Sequence, residues 1–144
     1  MNHQKKHYPP QVVVATWKGD QEFEAGVPGR ASIRVDGHSK VAPSPVDLII
    51  TSIGTCAAVD VVEILAKRRT PAEALEVTTT VTRADEAPRK LTHVWITFKI
   101  RGAGIERVHA ERAIDLSVNK YCSVRTSLDP AIPVEWNLDL NGDG

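Results

Sequence analysis

The sequence has 144 residues, and 18 Lys and Arg balance 18 Asp and Glu, so its formal net charge is zero. This length suits one domain, and contents of 42% hydrophobic and 25% charged residues are typical of globular rather than disordered or fibrous proteins. We therefore predict a single domain over residues 1–144, with an N-terminal arm at residues 1–10. The neutral balance lacks the basic character of nucleic-acid-binding proteins, so we expect no nucleic-acid partner.

Cysteine usage and apolar runs set the expected compartment. Cys56 and Cys122 are the two cysteines of the chain, too few for a disulfide-stabilised scaffold. No apolar stretch of the signal-peptide type follows the charged N-terminus. The longest apolar-rich run, Leu48–Val59, spans about 12 residues, whereas a membrane helix needs about 20. We expect a soluble, cytoplasmic protein without membrane contact.

The first part of the chain reads as a small antiparallel meander. Strands rich in β-branched or alternating residues are predicted at residues 11–17, 21–27 and 30–35. Pro28-Gly29 lies between the second and third of these strands and suits a type II turn.

A long helix is predicted over residues 45–69, with Ser44 as its N-cap and Pro45 in its first turn. Basic residues at its end suit the helix dipole, and Pro71 follows. Apolar residues occur all around this helix, so no wide solvent face is left. At about 37 Å it spans a compact domain of this size, and the remaining elements are too few to cover it. The pattern therefore predicts an intertwined homodimer.

The second half of the chain continues with strands at residues 75–83 and 91–101, a second main helix at residues 105–120 and a last strand at 132–140. In the 91–101 strand, Val94, Ile96, Phe98 and Ile100 share one face. Strands, helix, hairpin, helix and strand in this order predict an α+β fold with antiparallel sheets.

Cys56 lies on the one polar seam of the long helix. On a helical wheel, Asp60 and Glu63 fall within about 40° of it. Two nearby carboxylates disfavour a thiolate by charge repulsion. A reactive Cys56 therefore needs a cation from elsewhere in the fold, for which Arg30, Arg34 and Arg125 are the candidates.

Simpler interpretations of Cys56 remain open at this point. A lone cysteine in an apolar helix is often a small core residue. A zinc site is not expected, because neither cysteine has a Cys or His within two to four residues. A Cys/His hydrolase would need His38 or His93 as its base.

Several short motifs together resemble the OsmC/Ohr family. They are Ser44-Pro45-Val46-Asp47-Leu48, Gly54-x-Cys56 within a helix, and Tyr121-Cys122-Ser123-Val124 after a second helix. The run from Cys56 to Val62, with Ile64-Leu65, is most similar to the OsmC-like redox branch. The resemblance extends over essentially the whole chain, including the order of strands and helices.

The resemblance implies a homodimer with active sites at the subunit interface and thiol peroxidase activity towards organic hydroperoxides. Cys56 would be the peroxidatic thiol and Cys122 the resolving thiol, with an intramolecular disulfide as the intermediate. The reductant would be an external small dithiol or a lipoylated protein, and no metal, haem or flavin would be needed.

The resemblance also implies that an arginine, held by a glutamate, stabilises the thiolate. Arg30 fits the arginine of the Ohr type best, and Arg34 lies nearer the position used in OsmC proper. The family's glutamate corresponds to Val46, and Asp47 is the nearest carboxylate. Asp47 lies about 13.5 Å along the helix from Cys56 and on its opposite side, so it could act only on a group from the partner chain. The alternative role of Asp47 is that of a helix N-terminal carboxylate.

Two functions follow from these observations. The first is a peroxidase that uses the Cys56/Cys122 pair in oxidative or osmotic stress defence. The second is a non-catalytic OsmC-like protein that binds an apolar small ligand at the dimer interface, which Val46 in place of the glutamate favours.

Overall fold

A computed structural model describes residues 5–144, which form parts of two compact units, one ending at Leu48 and one comprising Ile49–Gly144. Of the predicted N-terminal arm, residues 1–4 lie outside the described residues, and the rest has no regular secondary structure. The prediction of a single domain over residues 1–144 stays a prediction.

The first unit contains a three-stranded antiparallel sheet. Its strands are β1 (Val14–Gly19), β2 (Glu22–Gly26) and β3 (Ile33–Asp36), paired in the order β1-β2-β3. The predicted meander is therefore confirmed. The predicted turn is also present: Gly29 has a φ of 81°, and the Arg30 N–H donates to the Val27 carbonyl at 3.0 Å.

One face of this sheet is apolar and largely uncovered. Trp17 and Phe23 are direct cross-strand neighbours on β1 and β2, and they are 64% and 37% exposed. Ile33 of β3 lies on the same face and is 52% exposed. Val35, which pairs with Phe23 on the same face, is by contrast only 8% exposed, so the uncovered part is that formed by Trp17, Phe23 and Ile33.

The long helix α1 comprises Pro45–Lys67 and so ends two residues before the predicted bound of 69. Arg69 adopts a left-handed backbone conformation with a φ of 63°. The Thr70 N–H donates to the Leu65 carbonyl at 3.1 Å, which closes the helix in the manner of a Schellman motif. The basic residues predicted to lie in the last turn therefore partly form the C-terminal cap.

By length and composition alone, α1 qualifies as a membrane-crossing helix, with 23 residues and a mean hydropathy of 1.9. Core helices of globular proteins meet the same criteria. Ile53, Ala57, Val61 and Leu65 of α1 are almost fully buried within the hydrophobic core of the second unit. These contacts are those of a core helix.

The second unit contains a sheet with the order β4-β5-β6, in which β4 is Ala74–Arg83, β5 is Leu91–Arg101 and β6 is Val134–Leu140. The predicted hairpin of β4 and β5 is confirmed as antiparallel. The predicted α+β fold class is confirmed, but the expectation of antiparallel sheets is wrong at β6, which runs parallel to β5. The connection at residues 102–133 contains helical segments and is long enough to return the chain to the starting end of β5.

The core of the second unit lies between this sheet and the helices. Val94, Ile96, Phe98 and Ile100 of β5 are at most 1% exposed, so the predicted inward face is confirmed. They form one apolar cluster with buried residues of α1, of β6 and of the segment that follows β5.

The second main helix, α2, comprises Arg107–Leu116, which is shorter than the predicted range of 105–120. A π-helical turn at Ser117–Tyr121 follows it directly, and the Cys122 N–H donates to the Ser117 carbonyl at 2.8 Å. A short helix, α3, then comprises Ser123–Thr126. The wider turn places Cys122 between two helical segments rather than at a plain helix end.

Gly54 allows α1 to approach β4 closely. A Cβ atom built at Gly54 would lie 2.2 Å from the Thr79 Oγ1 atom and 3.5 Å from a methyl group of Val77. Thr79 is short and β-branched, so it has little freedom to move away. The glycine two residues before Cys56 therefore sets the distance between helix and sheet.

We expect Gly54→Ala to destabilise the fold although alanine favours helices, because overpacking typically costs about 1–3 kcal/mol. Thr79→Ala removes the side chain that the new methyl group meets. Chemical denaturation of both single variants and of the double variant should give a favourable coupling energy of about 1 kcal/mol or more. Strictly additive effects would contradict the close approach.

Candidate functional site

The structure brings the side chains of Cys56 and Cys122 together. Cys56 lies on α1 and is half-buried, whereas Cys122 follows the π-helical turn and is 2% exposed. Both are free thiols, and Cys56 lies close enough to Cys122 to contribute to the raised pKa of the Cys122 thiol. Two elements far apart in sequence thus present a thiol pair at one place in the second unit.

The environment of Cys122 keeps its thiol protonated. Burial is the largest cause that raises the pKa of Cys122 above its ordinary value, and the neighbouring Cys56 raises it further. The Arg125 N–H donates to the Cys122 Sγ at 3.4 Å and opposes this shift, but it does not outweigh burial. Cys122 is therefore the buried, protonated member of the pair, and Cys56 is the accessible one.

The side chain of Arg125 is engaged away from the thiols. Its guanidinium donates to the carbonyl oxygens of Asp129 at 3.2 Å, of Pro130 at 3.4 Å and of Ile132 at 2.9 Å. These bonds fix the loop that leads into β6. Of the three arginines suggested by sequence, Arg125 is thus a loop-holding residue, and it supports Cys122 through its backbone.

A buried hydroxyl lies where α1 meets the segment before Cys122. Ser117 is fully buried, and its Oγ donates to the Ala57 carbonyl at 2.8 Å and lies 3.3 Å from the Asp60 carboxylate. Sequence reasoning missed this residue. The available signal was a serine in line with Ala110, Ala113 and Ile114, which form the buried face of α2.

An open groove of about 310 Å³ is lined by residues that lie close in sequence to the two cysteines. Ser52, one turn before Cys56, and Ser123, directly after Cys122, contribute hydroxyl groups to it. The rest of the lining is the apolar Ile49, Val124 and Leu128, together with Ser127. A small molecule with an apolar part and one polar group suits such a lining.

The two arginines named from the resemblance lie in the first unit. Arg34 on β3 forms an ion pair with Glu22 at 2.6 Å, and both are on the sheet surface. Arg30 follows the Pro28-Gly29 turn and is exposed. Within residues 5–144, the Arg30 guanidinium has no hydrogen-bond or ion-pair partner. A catalytic role for either arginine stays a prediction.

Asp47 is part of a capping box at the start of α1. Its carboxylate accepts hydrogen bonds from the Ser44 N–H at 2.9 Å and the Ser39 hydroxyl at 2.8 Å, while the Ser44 Oγ accepts from the Asp47 N–H at 3.1 Å. The Ser44 N–H is the largest cause that lowers the pKa of Asp47 below its ordinary value. This geometry matches the alternative role predicted for Asp47, that of a helix N-terminal carboxylate.

The histidines that a Cys/His hydrolase would need are engaged elsewhere. His93 contacts Glu135 at 2.5 Å and stacks on Trp95, on the face of the second sheet opposite to the core residues of β5. His38 pairs with Asp20 at 3.5 Å in the first unit. Because α1 packs on the inner side of the second sheet, His93 points away from Cys56.

Comparison with known proteins shows the family of the chain. The family model for OsmC-like proteins matches residues 37–137, which is more than half of the chain and includes both cysteines. The chain belongs to the OsmC-like family.

Individual relatives agree with this assignment. The protein YhfA of Escherichia coli strain K12 is 41% identical over 109 residues, covering 75% of this chain and 81% of YhfA. The crystal structure of an OsmC-like protein from Mycoplasma pneumoniae superposes with a TM-score of 0.78 at 15% identity, covering 92% of this chain and 97% of that one.

A further similar structure is that of an organic hydroperoxide resistance protein, OsmC, from Legionella pneumophila. It superposes with a TM-score of 0.63 at 12% identity, covering 93% of this chain and 99% of that one. At such identities the two structural similarities show a shared fold.

The capping role of Asp47 can be separated from a catalytic one by Asp47→Asn and Ser44→Ala. Ser44→Ala should cost about 1 kcal/mol of unfolding free energy through the lost cap. The lowered pKa of Asp47 means that its contribution is present above the ordinary carboxyl pKa of about 3.9 and is lost as the pH falls further. Asp47→Asn should therefore flatten the fall in melting temperature between about pH 5 and pH 2.

The control is thiol reactivity. If Asp47 acts only as a cap, Asp47→Asn leaves the rate at which iodoacetamide alkylates Cys56 at the wild-type value. A large loss of that rate with unchanged thermal stability would contradict the capping role and support the catalytic one.

Proposed function

We propose that this protein is a cytoplasmic thiol-dependent peroxidase that reduces organic hydroperoxides and serves in oxidative or osmotic stress defence. The observation that carries the proposal is that Cys56 and Cys122 lie close enough together for Cys56 to raise the pKa of the Cys122 thiol. Membership of the OsmC-like family supports it, because an organic hydroperoxide resistance protein shares the fold. The reaction uses no bound cofactor and takes its electrons from an external small dithiol or a lipoylated protein.

The proposed cycle has three balanced steps. The Cys56 thiolate attacks the terminal oxygen of the hydroperoxide, the O–O bond breaks, and the alkoxide takes a proton and leaves as an alcohol. The Cys122 sulfur then attacks the resulting sulfenic acid, which forms the disulfide and releases water. A dithiol finally reduces the disulfide by exchange and is itself oxidised.

The different surroundings of the two thiols support their order of action. Cys56 is half-buried, so a peroxide can reach it, whereas Cys122 is 2% exposed. Burial raises the pKa of Cys122, which keeps this residue from competing for peroxide as a thiolate. It reacts only when an electrophilic sulfur forms beside it.

The lining of the open groove near the two cysteines supports the proposal that the substrate is apolar. Ile49, Val124 and Leu128 would contact the organic part of a hydroperoxide, and the serine hydroxyls would face its polar end. The same lining also supports the second candidate function, binding of an apolar ligand without chemistry. The two functions differ because only the peroxidase oxidises the Cys56 and Cys122 thiols.

The thiolate of Cys56 needs a cation, and we propose Arg30 before Arg34 for this role. Arg34 is held by Glu22 at 2.6 Å, whereas the Arg30 guanidinium has no partner within the described part of the chain. An uncommitted guanidinium is the one available to a thiolate.

The proposed peroxidase activity is tested by counting free thiols and by measuring peroxide turnover in the wild-type protein and in cysteine variants. One equivalent of cumene hydroperoxide should remove both thiols of the wild-type protein and turn over in excess dithiothreitol. Cys56→Ser should lower turnover to the rate without protein. Without dithiothreitol, Cys122→Ser should react once to the sulfenic acid and, with excess peroxide, accumulate sulfinic acid at Cys56, because no protein thiol resolves the sulfenic acid.

The two cysteine variants serve as controls for each other, since the cycle predicts different products for them. If stoichiometric peroxide leaves both wild-type thiols free, the peroxidase is wrong. Native mass spectrometry that then finds a retained apolar adduct would establish the ligand-binding function instead.

We also propose that the protein is a homodimer that buries the outer stripe of α1. Val59 and Val62 lie on the side of α1 away from the core and are 64% and 46% exposed. Exposed apolar side chains side by side on one helix often mark an interaction surface. A second copy of the chain presents the same stripe, so the two stripes can pack against each other in a symmetric dimer.

Size-exclusion chromatography with light scattering should give a dimer at micromolar concentration. Val59→Lys should shift it towards monomer, because the introduced charge would be buried unpaired. The matched control, Thr80→Lys on the outer face of β4, should stay dimeric. A wild-type monomer, or equal effects of both substitutions, would contradict the proposed interface.

A further inference from the structure

Ser117 joins the two segments that carry the cysteines. Its hydroxyl donates to the carbonyl of Ala57, the residue after Cys56, at 2.8 Å. Its own carbonyl accepts the N–H of Cys122, also at 2.8 Å. One fully buried residue therefore bonds to α1 beside one thiol and to the backbone of the other.

We propose that Ser117 is a positioning residue that sets the spacing of the Cys56 and Cys122 thiols; this inference rests on the proposed function. Ser117 itself touches no reacting atom. It acts by holding the π-helical turn before Cys122 against α1.

The type of turn supports this role. Residues 117–121 form a π-helical turn, in which each bond spans one residue more than in an α-helix. Such turns are uncommon, and they often occur at functional sites. Here the bond from Cys122 to Ser117 closes the turn, and the Ser117 hydroxyl fixes its first residue to α1. Without the hydroxyl, the turn loses its hydrogen bond to the Ala57 carbonyl and its contact with the Asp60 carboxylate of α1.

Exact spacing matters because disulfide geometry is narrow. The Cβ atoms of a disulfide lie about 3.5–4.5 Å apart, and a shift of the turn along α1 directly changes this distance. In the resolving step, the Cys122 sulfur attacks the Cys56 sulfur, the S–S bond forms, and the S–O bond breaks. The departing hydroxide takes the proton of Cys122 and leaves as water, so the step needs no further reactant.

The test compares Ser117→Ala with Ile114→Val. Ile114 is fully buried one turn earlier on α2, so its truncation loosens the same helix without touching the link to α1. Each protein is equilibrated with mixtures of reduced and oxidised dithiothreitol, and its disulfide fraction is counted by mass spectrometry. This measurement uses no peroxide and reports the reduction potential of the pair.

We expect Ser117→Ala to lower the equilibrium constant for disulfide formation about tenfold, which is about 30 mV for a two-electron couple. Ile114→Val should leave it at the wild-type value. With excess cumene hydroperoxide, Ser117→Ala should also give several-fold more sulfinic acid at Cys56. Equal potentials for the wild type and Ser117→Ala, equal shifts in both variants, or a wild type that forms no disulfide would overturn the role of Ser117.

Failure of the proposed function would give a different result from failure of the role of Ser117. If the wild type forms the disulfide in dithiothreitol but ignores peroxide, the peroxidase is wrong. A shifted potential in Ser117→Ala alone would then still establish Ser117 as the residue that positions the pair.

Discussion

The close packing of α1 in the second unit is the constraint on which the thiol pair depends. Ile53, Ala57 and Val61 bury one side of the helix in the core, and Gly54 removes the side chain that would hold β4 away. This packing fixes the position and rotation of α1. Cys56 is thereby held at the edge of the core, where its side chain is half-buried and meets Cys122.

The second thiol is fixed by hydrogen bonds as well as by packing. The π-helical turn after α2, its link to α1 through Ser117 and the Arg125 N–H all define where the Cys122 sulfur lies. The guanidinium of Arg125 extends this order into the loop before β6. A buried thiol with a raised pKa beside an accessible one is an arrangement suited to sequential rather than simultaneous reaction.

Local patterns in the sequence were enough to predict most elements of the fold. Alternation in β5 and the Pro28-Gly29 turn depend only on neighbouring residues, and the structure confirms both. The parallel direction of β6 was not predictable in this way, because it depends on the path of the connection at residues 102–133 and not on periodicity within the strand. The π-helical turn was not predicted for a related reason. One extra residue per turn leaves the apolar spacing of α2 nearly unchanged.

The candidate site was predictable in its cysteines and less so in its supporting residues. Cys56 and Cys122 were identified through the family resemblance, and helix position alone left Cys56 open to a purely structural interpretation. Ser117 could not be predicted as a link to α1, because its hydrogen-bond partner, Ala57, is remote in sequence. The capping role of Asp47, by contrast, depends on neighbouring residues alone. The Ser44-x-x-Asp47 spacing itself encodes the capping box that the structure contains.

The account depends most on Cys56 and Cys122 acting as one redox pair. The most direct measurement is the intact mass and the non-reduced peptide map of the protein after brief exposure to one equivalent of an organic hydroperoxide. The account predicts a loss of two hydrogen atoms and a single cross-linked peptide that joins Cys56 to Cys122. An unchanged mass, or oxygen added to Cys56 without a cross-link, would contradict it.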